Sequence, residues 1–242
     1  MSEPYAALTD TGRRRQANQD EALTLPFGDG MVLLVVADGA GGMGGGDRAS
    51  AETVRGLREV CLEDQSGDPA SLLREGIARA NSRVRAIAAA EYPLEGMAST
   101  VVTAIVRGGQ AWLLNLGDTR AYLHGEGKLR QLTEDDSWVA GQVRAGQLTP
   151  EQARHSPMRS VITRAVGVED EPELAVQELA LAPGEILLLC SDGLHGPLTD
   201  DAIAAELALG ATAEGLAARL IAAANSAGGP DNIGVALYVA GQ

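Results

Sequence analysis

The stretch Met31-Val-Leu-Leu-Val-Val-Ala-Asp38-Gly-Ala-Gly-Gly-Met-Gly44 joins a continuous apolar run to an aspartate and a cluster of glycines. Seven successive apolar residues, rich in Val and Leu, are typical of a β-strand that is buried on both faces. Residues 47–62 follow with apolar side chains at helical spacing. The stretch therefore predicts a central strand that presents a carboxylate at the rim of the core, just before a helix.

The rest of the chain contains further runs of both kinds. Strands are predicted at residues 22–25, 99–106, 111–116, 185–190 and 233–240, and further helices begin at Asp68, Thr199 and Thr212. Strands and helices do not alternate strictly, so a doubly wound parallel sheet is disfavoured and an α+β fold with helices outside antiparallel sheets is predicted. Residues 138–167 are polar and contain Gly and Pro, which predicts a flap inserted between two blocks of strands.

Length and charge limit the class of protein. The chain has 242 residues, and we expect one domain over residues 1–242. Its 33 acidic and 19 basic side chains give a formal charge of −14, and only 3% of the residues are aromatic. Such a chain lacks the basic surface and the stacking aromatics by which proteins bind nucleic acid.

Three features of the sequence predict the cellular compartment of the protein. No apolar run approaches the roughly 18 residues that span a bilayer, and the first residues lack the pattern of a secretion signal. Cys61 and Cys190 are the only cysteines, too few for a disulfide framework, which favours the reducing cytoplasm. The chain ends soon after the last predicted strand, so we expect no membrane anchor or sensor domain.

Aspartates stand next to the predicted strands at several points, mostly beside glycine. They are Asp20, Asp38, Asp118, Asp192 and Asp231. A single Asp–Gly pair at a strand end is ordinary turn chemistry. Because the strands of one core bring their ends together, these carboxylates are expected to converge, and converging carboxylates repel unless a cation lies between them. The carboxylates supply oxygen donors, and the three histidines do not have the spacing of a zinc site. The pattern therefore predicts Mg²⁺ or Mn²⁺.

Other chemistries fit less well. Residues 39–44 match the G-x-G-x-x-G spacing of dinucleotide-binding proteins, but Asp38 would place a carboxylate beside a pyrophosphate and no parallel strand follows the helix. A P-loop is excluded because the only lysine, Lys128, is not followed by Ser or Thr. No G-x-S-x-G elbow is present, and Cys190 lies in an apolar run typical of core packing.

The densest basic run is Arg13-Arg14-Arg15, a few residues before Asp20. A solvated turn is one interpretation. The other is a phosphate clamp, because guanidinium groups bind phosphate oxygens through two parallel hydrogen bonds. The position ahead of the first aspartate favours the clamp for at least one of the three arginines.

Eight segments, in order along the whole chain, resemble the motifs of metal-dependent protein serine/threonine phosphatases of the protein phosphatase 2C type, in their bacterial form. The segments are residues 12–20, 36–42, 96–100, 115–120, 132–135, 159–167, 191–194 and 229–233. The resemblance implies a four-layer α-β-β-α sandwich with two central, mainly antiparallel sheets. It also implies a metal cleft at one edge of the sandwich, beside a flap over about residues 138–167.

The resemblance assigns metal-binding roles by motif position. Asp38 would bridge two metal ions, and Asp192 and Asp231 would complete the site of the first. The carbonyl oxygen of Gly39 would bind the second ion, which Asp20 would serve directly or through water.

The resemblance also extends to the substrate side of the cleft. Asp118 would contribute to a weaker third ion, and Arg15 aligns with the phosphate-binding arginine. His155 and Arg159 lie in the flap that adjoins the cleft. Ala40 stands where animal members carry a histidine proposed as the general acid, so the leaving alkoxide would be protonated by metal-bound water or by His155.

We therefore expect a cytoplasmic enzyme, dependent on Mn²⁺ or Mg²⁺, that hydrolyses phosphoserine and phosphothreonine in proteins. In the implied mechanism, a hydroxide that bridges two ions attacks phosphorus in line, while the ions and arginine neutralise the phosphoryl oxygens. The implied partners are phosphorylated proteins, including a bacterial Ser/Thr kinase that the enzyme opposes, with neither nucleic acid nor a membrane. The alternative is a catalytically inactive relative that serves as a binding module.

Overall fold

The computed structural model describes residues 3–41, 45–91 and 94–241. Its strands are β1 (Tyr5–Asp10), β2 (Asp20–Phe27), β3 (Met31–Ala40), β4 (Ala98–Arg107), β5 (Gln110–Leu116), β6 (Arg120–Gly125), β7 (Lys128–Gln131), β8 (Gln177–Ala180), β9 (Ile186–Cys190) and β10 (Ile233–Val239). Its helices are α1 (Gly45–Glu63), α2 (Pro69–Ala90), α3 (Trp138–Arg144), α4 (Pro150–Arg154), α5 (Asp192–His195), α6 (Asp200–Leu207) and α7 (Ala213–Ser226). The G-x-G-x-x-G match lies partly outside the described residues, which omit residues 42–44.

The strands form two five-stranded sheets. One has the order β1-β10-β9-β6-β7 and the other the order β2-β3-β4-β5-β8. Every pairing between these strands is antiparallel. The predicted α+β class with two central antiparallel sheets is therefore confirmed.

Three apolar clusters hold four layers together. Along β3, Leu33 and Val35 belong to the cluster shared with α1 and α2, while Leu34 and Val36 belong to the cluster between the two sheets. This alternation follows from the period of two in a strand. A third cluster joins β9 and β10 to α6 and α7. The order of layers is α-β-β-α, as the resemblance implies.

The long helices begin as the sequence predicts. The Asp68 carboxylate accepts a hydrogen bond of 2.9 Å from the backbone N–H of Ser71, and Pro69 occupies the first turn of α2. Thr212 caps α7 in the same way. No helix in the described part of the chain is long and apolar enough to cross a membrane.

The observed elements differ from the predictions in three respects. Strands β1, β6, β7 and β8 were not predicted from the apolar runs, and β8 is a short edge strand with mainly exposed side chains. Strand β3 runs three residues beyond the predicted 31–37, through Asp38 to Ala40. Residues 138–167, for which the sequence predicts a flap but no helix, contain the short helices α3 and α4.

Candidate active site

Two aspartates face each other across neighbouring strands. In the antiparallel register of β2 and β3, Asp20 lies opposite Asp38, and their side chains share a hydrogen bond. Asp20 is 4% exposed. Burial, followed by the negative charge of Asp20, raises the pKa of Asp38 well above its usual range. The pair therefore holds a proton that a bound cation would displace.

Ser191 joins this pair to the other sheet. Its hydroxyl donates a hydrogen bond of 2.6 Å to Oδ2 of Asp20, and it accepts one of 2.8 Å from the backbone N–H of Gly234. Ser191 follows β9 in one sheet, whereas Asp20 begins β2 in the other. This role of Ser191 is not evident from the sequence, where the serine is only part of a Ser-Asp-Gly turn.

Asp192 and Asp231 come from the adjoining ends of β9 and β10, which pair antiparallel. The pKa of Asp192 is raised, first by burial and then by the negative charge of Asp231. The positive charges of Arg15 and Arg159 act in the opposite direction. The structure thus brings two predicted metal ligands and two predicted phosphate-side arginines into one electrostatic cluster.

Asp118 lies in the turn between β5 and β6 and is 8% exposed. Burial, followed by the charges of Asp192 and Asp135, raises its pKa to about 7. The backbone carbonyl of Asp118 lies 3.1 Å from Nε2 of His195, which fits an N–H donated by the imidazole. Burial lowers the pKa of His195 to about 3, so this ring is neutral. His195 supports the Asp118 turn, a role that a lone histidine in the sequence did not reveal.

The loop before β2 carries Arg15 to the cluster. Its Nη2 lies 2.6 Å from Oδ2 of Asp231, and this contact is the first cause of its raised pKa. Asn232 holds the loop, since its Oδ1 accepts a 2.9 Å bond from Gln19 N and its Nδ2 donates 2.9 Å bonds to the carbonyls of Thr11 and Ala17. Asn232 is 5% exposed, so the sequence motif Asp-Asn combines a site carboxylate with a buried structural amide.

Gly39 is required by a close approach of backbone. A Cβ atom at this position would lie 1.9 Å from the carbonyl oxygen of Gly46 in α1. The N–H of Gly39 donates a 3.0 Å bond to the carbonyl of Gln19. The glycine next to Asp38 therefore lets the start of α1 and the loop before β2 close on the end of β3.

Of the two predicted flap residues, Arg159 lies near the aspartate cluster, whereas His155 contacts another residue of the flap. Arg159 acts on the pKa of Asp192, as described above. His155 is exposed, with its Nε2 2.9 Å from Oε1 of Glu151, and none of its described hydrogen bonds reaches the five aspartates. The flap base is tied to the site by Asp136, which accepts from the N–H groups of Gly117 (3.1 Å, side chain) and Thr163 (2.8 Å, carbonyl).

The donor set suits a hard cation in its chemistry. All the candidate side chains are carboxylates, and their raised pKa values show like charges held close together in a buried place. Within the described ranges, no group of three or more His, Cys, Asp or Glu side chains is arranged so that it could hold one ion. The carboxylates are arranged as neighbours in pairs, and Mg²⁺ in proteins is commonly held by one or two carboxylates with waters.

Comparison with known proteins supplies an independent line of evidence. The family model described as "Protein phosphatase 2C" matches residues 10–225. The chain is 38% identical over 232 residues to the serine/threonine protein phosphatase PstP of Mycobacterium tuberculosis, covering 96% of this chain and 44% of that protein. It is 36% identical over 233 residues to the serine/threonine phosphatase stp of Listeria monocytogenes, covering 95% of this chain and 92% of that protein.

The first of these relatives is therefore more than twice as long as the part this chain matches. Among solved structures, the catalytic domain of PstP in complex with two manganese ions is similar to this chain with a TM-score of 0.86 and 34% identity. That comparison covers 96% of each chain.

Proposed function

The chain belongs to the protein phosphatase 2C family, and on that premise we propose that it is a metal-dependent enzyme that hydrolyses phosphoserine and phosphothreonine in proteins. The observation that carries the proposal is the gathering of Asp20, Asp38, Asp118 and Asp192 at one end of both sheets, where burial, followed by the charges of neighbouring aspartates, raises their pKa values. Holding like charges together in a buried place costs free energy, which a bound divalent cation would offset.

Two core ions, Mn²⁺ or Mg²⁺, are assigned to these carboxylates. Asp38 would be the ligand common to both, a role supported by its position among the charges of Asp20, Asp192 and Asp231, which raise its pKa after burial does. Asp192 and Asp231 would complete the first site after Asp231 leaves Arg15, because the three side chains are not yet arranged around one ion in the described structure. Asp20 and the carbonyl of Gly39 would complete the second. The two manganese ions of the similar PstP structure support the number of ions.

A weaker third ion is assigned to Asp118 together with Asp192. The charge of Asp192 is the second cause of the raised pKa of Asp118, after burial, which supports their proximity. The neutral imidazole of His195 holds the backbone of Asp118 and adds no positive charge that would oppose a cation there.

The chain's own residues bind and orient the phosphate. When bound, the two ions supply a water of lowered pKa and neutralise charge on the phosphoryl oxygens. Arg15 would offer its fork of N–H donors to the same oxygens, and Arg159 of the flap would add a second positive charge. Both arginines already act on the pKa of Asp192.

His155 is a weak candidate for protonating the leaving oxygen. About 77% of its side chain is exposed, and its ring contacts Glu151 rather than the cluster. We therefore assign His155 no step in the reaction. Its predicted role as the group that protonates the leaving alkoxide stays a prediction.

The proposal extends to partners, location and domain structure. The substrates would be phosphorylated proteins of the bacterial cytoplasm, including a Ser/Thr kinase whose phosphorylations the enzyme reverses. The names of the relatives support protein substrates. Cys61 and Cys190 are both free, buried thiols, which is compatible with a reducing compartment. Residues 1–242 would act as one catalytic domain, with the flap at about 138–167.

The test uses purified protein stripped of metal with a chelator. With Mn²⁺ added, it should hydrolyse both an aryl phosphate and a phosphothreonine peptide, and without Mn²⁺ it should hydrolyse neither. Asp192→Ala should abolish the activity, and activity at the wild-type level in this variant would contradict the assignment of the first ion. Calorimetry that shows no Mn²⁺ binding would instead favour an inactive binding module.

A further inference from the structure

A small apolar pocket lies beside the carboxylate cluster. Its volume is about 150 Å³. The described residues that line it are Ala40, Ala98, Thr100, Ile162, Thr163, Arg164, Ala165 and Val168. We call it the flap pocket, because one wall is the strand ends of β3 and β4 and the other is residues 162–168 at the base of the flap. Five of its eight lining side chains are aliphatic.

The register of β3 and β4 fixes the distance of the pocket from the site. Asp38 lies opposite Thr100, and Ala40 lies opposite Ala98. Residues two apart on a strand point to the same face and are separated by about 6–7 Å. The alanine floor of the flap pocket therefore lies one such step from Asp38, on the same face of the sheet.

An extended peptide has the same repeat. If a phosphorylated residue is bound at Asp38, the side chain two positions away points to the same side, about 6–7 Å along the peptide. That distance equals the distance from Asp38 to Ala40. The residue next to the phosphorylated one points to the opposite side and is directed away from the flap pocket.

The apolar character continues onto the surface of the flap. The described residues expose six large hydrophobic side chains, and four of them are Trp138, Met158, Val161 and Val168. Val168, which is 54% exposed, forms part of the pocket itself. Clustered exposed apolar side chains are typical of a binding surface, whereas single ones are common everywhere.

The polar groups of the pocket are mostly engaged elsewhere. Arg164 donates a 2.6 Å hydrogen bond from Nη2 to the carbonyl of Glu173, and its Nη1 lies 3.6 Å from Asp136. The guanidinium of Arg164 is thus held by residues outside the flap pocket, and the aliphatic part of its side chain lines the pocket wall. A charged side chain of a ligand would therefore find few free polar groups in the flap pocket to replace its lost contacts with water.

We propose that the flap pocket binds an aliphatic side chain of the protein substrate, two positions from the phosphorylated residue. The proposal rests on the proposed function, since it locates the phosphate at Asp38. A cavity of about 150 Å³ is large enough for benzene, so a side chain of the size of Val, Leu or Ile fits. The enzyme thereby selects phosphorylation sites by an apolar neighbour and not by charge.

The test compares phosphothreonine peptides that differ at one position. Ala, Leu, Glu or Lys is placed in turn at −2, −1, +1 and +2, and kcat/KM is measured with Mn²⁺. Leu should exceed Ala by about tenfold or more at −2 or at +2, because each added methylene in an apolar pocket contributes about tenfold or more. Glu and Lys should be no better than Ala at that position.

Variants assign the preference to the flap pocket. Ala98→Leu fills the pocket, so the ratio of kcat/KM for Leu over Ala peptides should fall to about one. Val168→Asp places a negative charge at an exposed position of the pocket wall and should turn the preference from Leu towards Lys. Ala145→Leu makes the same change as Ala98→Leu at an exposed site on the flap and should keep the wild-type ratio. Because each ratio compares two substrates of one variant, a general loss of rate cancels.

The outcomes separate the two proposals. Equal kcat/KM for all peptides, or a Leu preference only at −1 or +1, overturns the flap pocket while leaving the phosphatase activity in place. A Leu preference that survives both Ala98→Leu and Val168→Asp overturns it as well. Failure to hydrolyse any peptide and also an aryl phosphate overturns the proposed function and, with it, this inference.

Discussion

The guanidinium Nη2 of Arg15 lies 2.6 Å from Oδ2 of Asp231, a residue 216 positions further along the chain. The contact joins the loop before β2 to the turn before β10. It also means that a predicted phosphate ligand and a predicted metal ligand neutralise each other in the protein alone. Binding a cation at Asp231 would release Arg15 towards a phosphate, so metal and substrate sites are expected to be linked.

Arg15→Ala should lower kcat/KM for a phosphothreonine peptide by about 10²-fold, the size of effect seen when one donor to a developing oxyanion is removed. The affinity for Mn²⁺ should not fall, because the variant removes a positive charge from beside Asp231. Steady-state kinetics and calorimetric Mn²⁺ titration measure the two effects separately.

The matched control is Arg14→Ala, an exposed neighbour of the same charge for which no ion pair is found among the described residues. It should change kcat/KM by less than about twofold, since surface charges away from a site contribute little. An equal loss of rate in both variants would show that general charge, and not the position of Arg15, is what matters.

Asp38→Asn should abolish activity and yet stabilise the metal-free protein. The variant replaces a carboxyl group whose ionisation is opposed by burial and then by the negative charge of Asp20, so the neutral amide is easier to bury. Thermal unfolding of metal-stripped protein at pH 8 should give a higher Tm for the variant than for the wild type. Added Mn²⁺ should raise the Tm of the wild type far more than that of the variant.

Asp29→Asn serves as the control, because this exposed aspartate in the β2–β3 turn lies at the other end of the strands. Its Tm and its response to Mn²⁺ should match those of the wild type. If Asp38→Asn melts below the wild type in the absence of metal, the repulsion inferred for the cluster is absent.

The metal-free protein should lose stability as pH rises from 6.5 to 8. Asp118 has a pKa of about 7 in the folded state, above its usual 3.8. Between these two pH values the folded state therefore binds more protons than the unfolded state. The stabilising contribution of Asp118 is fully present below about pH 3.8 and is lost as pH rises through about 7. The shift corresponds to about 4 kcal/mol at most.

His195 acts with the opposite sign, but in a lower range. Its pKa is about 3 when folded and about 6.5 when unfolded, so stability gained from it rises with pH from about 3 and levels off about one pH unit above 6.5. Because His195 contributes equally with and without Mn²⁺, the difference between the two denaturation series from pH 6.5 to 8 isolates the carboxylates. The stabilisation by Mn²⁺ should grow with pH over this range, and a constant difference would argue against protons being displaced by the ion.

Ser191→Ala should destabilise the protein by about 1–3 kcal/mol, the cost of leaving a buried polar partner unpaired. The variant removes the donor to Asp20 and the acceptor of the Gly234 N–H. Urea denaturation measures the change in free energy of unfolding. Ser82→Ala, at an exposed position on α2, should change it by less than about 0.5 kcal/mol, and equal effects would remove the special role of Ser191.

Much of the site could be predicted because strand ends are marked in the sequence. The apolar run at 31–37 leads directly into Asp38, and in the structure the register places this residue opposite Asp20. The acids converge because strand ends of the two sheets meet at one rim, where Ser191 of one sheet contacts Asp20 of the other. Short strands such as β8 could not be predicted, because their exposed positions carry no apolar periodicity.

The supporting contacts could not be predicted for a different reason. Ser191 and Asp20 are 171 positions apart, and nothing local to either residue indicates that they meet. The same holds for Asn232, which binds the loop that carries Arg15. Such hydrogen bonds depend on how two sheets are placed against each other, which the hydrophobic pattern leaves open.

The most direct test of the account is to follow phosphate release from a phosphothreonine peptide while metal-stripped protein is titrated with Mn²⁺. We expect no release before metal is added, a rise as Mn²⁺ binds, and a plateau when about two ions are bound per chain, as in two-metal sites. Asp38→Asn should release no phosphate at any Mn²⁺ concentration. Release by the metal-stripped wild type, or a wild-type plateau in Asp38→Asn, would contradict the account.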